Sequence, residues 1–179
     1  IPGLKVVRPA DANETALAWK QALKTLDSPT ALILSRQKLP TLDVSKREGE
    51  FNHGAYILET IIDPDMILIA TGSEVHICVE AAQMLKNDHN IKAAVVSMPS
   101  WELFEKAPAV YRERILPSSV TKRMAVEAGI SMGWEKYTGS EGKILGIDKF
   151  GSSAPGGTVL KEYGFSPENI VQKALGLFK

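Results

Sequence analysis

The chain has 179 residues, 44% of them hydrophobic and 23% charged, which is the composition of one ordinary folded domain or slightly more. Its 21 lysines and arginines balance 21 aspartates and glutamates, which argues against a nucleic-acid or anionic-membrane surface, because such surfaces need a net basic field. The single cysteine, Cys78, can neither close an internal disulfide nor build a thiolate zinc site, and no apolar run approaches the roughly 20 residues of a spanning helix, so the expectation is a soluble cytoplasmic protein.

Leu4 to Ala10 reads as a short strand. Asp11 follows as a helix N-cap with Glu14 three residues on, a capping-box arrangement. Ala12, Ala16, Trp19, Leu23 and Leu26 recur at spacings of 4, 3, 4 and 3, which places them on one helical face. Asp27-Ser28-Pro29 ends the helix, and Thr30 to Ser35 reads as a second, buried strand. One strand–helix–strand unit cannot cover both faces of a parallel sheet. Residues 1–40 therefore read as the last part of a domain, and without their neighbours they would present a sticky apolar patch.

Residues 41–64 are acid-rich and read as a surface linker, within which Ala55 to Leu58 is a candidate edge strand. From 65 onward strands alternate with helices. Met66 to Ala70 is a buried strand, Thr71-Gly72-Ser73 a turn and N-cap, and Val75, Cys78, Val79, Ala82 and Leu85 a helical stripe. Ile91 to Ser97 is the next strand. Ser100 can cap a helix through Phe104, and Pro108 and Pro117 bracket another. Arg123 to Glu127 and Lys143 to Ile147 are two further strands, and Ser166-Pro167 opens a final helix with Ile170, Ala174 and Leu177 on one face. The pattern predicts an α/β fold with a mostly parallel five-stranded sheet covered by helices on both faces, preceded by an incomplete β-α-β piece.

Gly129-Ile130-Ser131-Met132-Gly133 matches a nucleophile elbow between strand and helix. That chemistry needs a histidine after the serine, and His53, His76 and His89 all precede it. Thr71-Gly72-Ser73-Glu74 could form an anion-binding nest, yet no G-x-G or Walker loop accompanies it and Glu74 would repel a phosphate. Ordinary capping is the simpler account. No metal-ligand spacing is present, His76 reads as a solvated side chain, and Glu127 as a strand-end carboxylate in a salt bridge or cap. Arg36 directly follows an apolar strand, at the end where ligands bind in open α/β sheets. A guanidinium there suits a sugar phosphate, although spacing alone favours a plain surface or salt-bridging arginine.

Six strings, in order and end to end, resemble transketolases: Arg8-Pro9-Ala10-Asp11-Ala12-Asn13-Glu14-Thr15, Ser35-Arg36-Gln37-Lys38-Leu39-Pro40, Ile69-Ala70-Thr71-Gly72-Ser73-Glu74-Val75, Val96-Ser97-Met98-Pro99-Ser100, Gly146-Ile147-Asp148-Lys149-Phe150-Gly151 and Gly164-Phe165-Ser166-Pro167-Glu168-Asn169. The resemblance implies that residues 1–40 are the tail of a pyrimidine-binding domain and that 65–179 are the family's C-terminal domain. It implies a parent enzyme of the pentose phosphate pathway, a homodimer that uses thiamine diphosphate and Mg2+ to move a two-carbon ketol unit between sugar phosphates. Arg36 then corresponds to the arginine that binds the sugar's terminal phosphate. The family's Gly-Asp-Gly cofactor motif does not occur in this chain, nor do its activating glutamate and substrate histidines, which precede the matching segment. The expectation is an inactive fragment with no catalytic, cofactor or metal residue of its own. A non-catalytic regulatory or dimer-supporting module is the alternative. So is a related thiamine diphosphate enzyme, though the Ser-Arg-Gln and Gly-Ile-Asp-Lys-Phe-Gly strings favour transketolase.

Overall fold

A computed structural model describes residues 1–179. The elements run β1 (Lys5–Val7), α1 (Ala12–Lys24), β2 (Thr30–Leu32), β3 (Tyr56–Ile57), β4 (Met66–Ala70), α2 (Glu74–His89), β5 (Ala93–Ser97), α3 (Trp101–Lys106), α4 (Ala109–Ile115), β6 (Arg123–Val126), α5 (Glu135–Thr138), β7 (Lys143–Leu145), α6 (Gly156–Glu162) and α7 (Pro167–Leu175). No helix is long and apolar enough to cross a membrane.

Strands β3 to β7 form one sheet in the order β3-β5-β4-β6-β7, parallel throughout except for the antiparallel edge strand β3. Met66-Ile67-Leu68-Ile69-Ala70 is wholly apolar because it is the central strand: neighbours flank both its edges and helices cover both its faces. Its residues divide by alternation. Met66, Leu68 and Ala70 pack with Val75, Cys78, Ala81 and Leu85 of α2 and with Ile170, Val171 and Ala174 of α7. Ile67 and Ile69 face the other way, onto Phe104 of α3, Tyr111 and Ile115 of α4, and Tyr137 of α5. Register brings Ala70 level with Ser97 and Val126, so the turns after β4, β5 and β6 share one edge of the sheet.

The first unit is a separate two-stranded parallel sheet, Lys5 opposite Thr30 and Val7 opposite Leu32, crossed by α1. It departs from the sequence reading in three ways. β1 stops at Val7, because the Arg8 amide turns away to donate to Pro99 O at 2.8 Å and Pro9 has no amide to continue a ladder. β2 covers only Thr30–Leu32 and is half-buried. Ile33 and Leu34 are 50% and 49% exposed, since no third strand or second helix lies against them. The α1 stripe points outward: Trp19 and Leu23 are 51% and 74% exposed, and Leu26, beyond the helix end at Lys24, is 94% exposed, while Glu14 and Ala18 are buried and Leu17 packs against the core.

Two smaller features also differ. Ser73 adopts helical angles and makes no side-chain cap; its hydroxyl donates to Glu74 instead. Helix α6, starting on Gly156-Gly157, has no clear signal in the sequence, because glycine is a poor helix former and no residue of the segment is fully buried.

Candidate functional site

The carboxyl edge of a parallel sheet is where loops leave room for ligands. In this chain the crevice above β4, β5 and β6 is filled by the chain itself. Arg8 O accepts the Gly72 amide at 3.1 Å and the Thr71 hydroxyl at 3.4 Å, and Glu102 Oε2 accepts the Val6 amide at 3.1 Å. The Arg8 side chain then enters between two carboxylates. It pairs with Glu74 at 3.6 Å and closely with Glu127. Glu74 is fully buried and also accepts the Ala128 amide at 3.0 Å; Glu127 accepts Trp134 Nε1 at 2.6 Å. Glu127 thus has the salt bridge expected of it. The Thr71-Gly72-Ser73 turn, by contrast, is engaged within the chain: the Gly72 amide is already donated to Arg8 O, and a Cβ on Gly72, at φ +60°, would lie 3.6 Å from Arg8 Nη2.

A second buried cluster was not legible in the sequence. Glu14 caps α1 in part as expected: Asp11 Oδ1 accepts its amide at 2.8 Å, and Glu14 Oε2 reaches back to the Ala10 amide at 2.7 Å. Its other oxygen accepts the Tyr56 hydroxyl at 2.7 Å and the Ser97 hydroxyl at 2.5 Å. Burial pushes the Glu14 carboxyl above its ordinary value, against the pull of the Ser97, Tyr56 and Ala10 donors, and the nearby Asp11 charge adds to the rise. Burial and the Glu14 charge in turn push the Tyr56 hydroxyl up. The partners stand 42 and 83 residues from Glu14, so no local spacing could have announced them.

The remaining candidates separate cleanly. Ser131 donates its hydroxyl to Asp148 Oδ2 at 2.8 Å and its amide to Oδ1 at 2.8 Å, which holds the Asp148 carboxyl below its usual range and leaves the serine as a loop fastener. His53 stacks on Tyr111 with ring centroids 4.4 Å apart, and His76 and His89 both lie in α2. His76 is half-buried with Nδ1 sealed off and unpartnered, not the solvated residue its polar register suggested, because α2 is packed on both the sheet and α7. Burial pushes the Cys78 thiol up, away from reactivity.

Arg36 lies past the carboxyl end of β2, in an exposed turn where Ser35 Oγ accepts the Gln37 amide at 3.1 Å. The arginine is in no ion pair within the chain; the seven pairs involve other residues. β2 ends at Leu32, so Arg36 stands four residues past the strand and does not directly follow it; its guanidinium, free of any carboxylate, is chemically available to an anion. The one glycine turn at the start of a long helix faces Arg8 and Glu74, and no group of three or more His, Cys, Asp or Glu side chains converges as metal ligands.

With this geometry in place, comparison with known proteins is informative. Residues 54–166 match the transketolase-like TK C-terminal domain, and residues 1–41 match the transketolase pyrimidine binding domain. The transketolase of Geobacillus stearothermophilus is 49% identical over 182 aligned positions, covering 99% of this chain and 27% of that protein. A transketolase structure from Pichia stipitis, solved in complex with sedoheptulose 7-phosphate, superposes with a TM-score of 0.89 at 36% identity, over 98% of this chain and 25% of that one. That of Campylobacter jejuni gives 0.88 at 38% identity, over 98% and 26%. The chain spans about a quarter of the length of these relatives. It belongs to the transketolase family.

Proposed function

We propose that residues 1–179 are the C-terminal part of a transketolase, with 1–40 the tail of its pyrimidine-binding domain, 41–64 a linker carrying an edge strand, and 65–179 its C-terminal domain. In this reading the parent enzyme is a cytoplasmic homodimer that transfers a two-carbon ketol unit between sugar phosphates in the pentose phosphate pathway. Thiamine diphosphate and Mg2+ supply the carbanion chemistry from elsewhere in the parent. The part played by this chain is recognition. Arg36 grips the terminal phosphate of the sugar by charge-assisted, two-point hydrogen bonding. The single observation that supports this role is its free guanidinium beyond the end of a parallel strand.

The test uses a complete transketolase carrying these residues. Arg36→Ala raises KM for phosphorylated substrates, the loss corresponding to about 1.5–3 kcal/mol for a hydrogen bond to a charged group. An unphosphorylated acceptor is affected far less. Equal losses for both substrate types would mean that Arg36 is structural.

The outward apolar stripe of α1 gives a second reading some support, in which the chain serves as a dimer-supporting module without a substrate role. Calorimetric titration of the purified chain with sugar phosphates and nucleotides separates the two: heat of binding to a sugar phosphate favours recognition, and silence across the panel favours the scaffold.

A further inference from the structure

We propose that Gln37 is a positioning residue for Arg36, and that Gly156 exists to seat it; the inference rests on the phosphate-binding reading of Arg36. A long exposed arginine loses rotamer freedom when a ligand immobilises it. The backbone that carries it must therefore already be held in place. Between Leu34 and Thr41 the only hydrogen bond is the local one from the Gln37 amide to Ser35 Oγ, so hydrogen bonding does not tie this turn to the rest of the molecule.

A packing contact does. The Gln37 side chain lies where a side chain on residue 156 would begin: a Cβ there would collide with Gln37 Nε2 and crowd its Cδ at 3.3 Å. Gly156 has no positive φ, so its backbone does not demand glycine. Nor does its place at the start of α6 favour one, since glycine weakens a helix relative to alanine. Its neighbour Gly157 has nothing within 4 Å of the same position, which makes the contact specific to residue 156. The space left open at Gly156 is filled by Gln37, the residue next to Arg36.

The seat itself is fixed. The Phe165 amide donates to Leu160 O at 2.8 Å, and Leu160 packs on the core. The loop before α6 is pinned by the Tyr163 hydroxyl, which donates to Phe150 O at 3.1 Å and lies 2.8 Å from Ser152 Oγ. Farther back, the Asp148 carboxylate accepts from Ser131. Gln37 therefore couples the arginine turn of the first unit to the five-stranded unit.

The test is kinetic, in the complete enzyme. Gly156→Ala and Gln37→Ala each raise KM for phosphorylated substrates roughly 3- to 10-fold, as a displaced binding group does, with kcat and the KM of an unphosphorylated acceptor unchanged. The double variant is no worse than either single one, because both remove the same contact. Arg36→Ala is measured alongside. If it leaves phosphorylated substrates unaffected, the phosphate reading falls and this inference with it. If Arg36→Ala acts selectively but the Gln37 and Gly156 variants bind phosphorylated substrates normally, the positioning role alone is overturned. Equal losses for both substrate types in those variants would also overturn it, by showing a merely structural contact. Gln37 is exposed, so Gln37→Ala keeps the test open even if Gly156→Ala perturbs folding.

Discussion

Glu14 shows how much one residue can hold. It joins three backbone and side-chain donors from separate parts of the chain to the start of α1, all out of water. Glu14→Ala leaves the Tyr56 and Ser97 hydroxyls and the Ala10 amide without their acceptor, at about 1–3 kcal/mol for each buried group left unsatisfied. Equilibrium urea denaturation measures the loss. The pH dependence follows from sign. Because burial raises the folded-state value above the ordinary 4.5, the folded chain holds the Glu14 proton more tightly than the unfolded chain. Its contribution to stability is fully present below pH 4.5 and is lost as pH rises through the raised value. Stability of the parent chain relative to Glu14→Gln should therefore fall with rising pH across that window; a relative rise would contradict the assignment. Arg8 is the companion case. Arg8→Ala abandons a fully buried Glu74 without its counter-charge, and breaking a buried pair in this way costs about 3–5 kcal/mol. A urea midpoint unchanged from the parent would show that Glu74 has another partner.

At the level of elements, legibility in the sequence followed burial. Met66 to Ala70 matches its observed strand end to end, because a wholly apolar run bounded by polar residues leaves little choice. The strands at β5, β6 and β7 came within two residues at either end for the same reason. α1 is the instructive failure. Its stripe is real for Ala12, Ala16, Trp19 and Leu23, with Leu26 beyond the helix end, but spacing gives a face and not the direction in which that face points. The buried side is led by a glutamate, which no hydrophobic count would select. Thr30 to Ser35 has the composition of a buried strand, yet burial is supplied by neighbours, and only β1 lies beside it. Among candidate site residues, Arg36 is proposed from its place after a strand and from family resemblance. The Glu14 cluster and the contact of Gln37 with Gly156 were not legible, because the partners come from distant parts of the chain. The outward stripe yields a prediction. Leu23→Glu with Leu26→Glu changes the stability of this chain by no more than about 0.5 kcal/mol per site, as exposed positions do, whereas Leu68→Ala in the fully buried centre of the sheet costs about 2–5 kcal/mol. A large loss from the surface pair would mean that α1 is covered in solution.

The whole molecule is two unequal units joined by a shared apolar core, to which Val7, Ala10 and Ala18 contribute, and by polar contacts: Arg8 with Glu74 and Glu127, Glu14 with Tyr56 and Ser97, and the Leu42 amide donated to Asp11 Oδ2 at 2.9 Å. These contacts occupy the sheet edge where an α/β unit most often binds a ligand. The central claim is that this chain contributes a phosphate-gripping arm to ketol transfer without the groups that anchor the cofactor. The most direct measurement is a steady-state assay of the purified 179-residue chain with xylulose 5-phosphate, ribose 5-phosphate, thiamine diphosphate and Mg2+. The account predicts no ketol transfer above background; sustained turnover by the chain alone would contradict it.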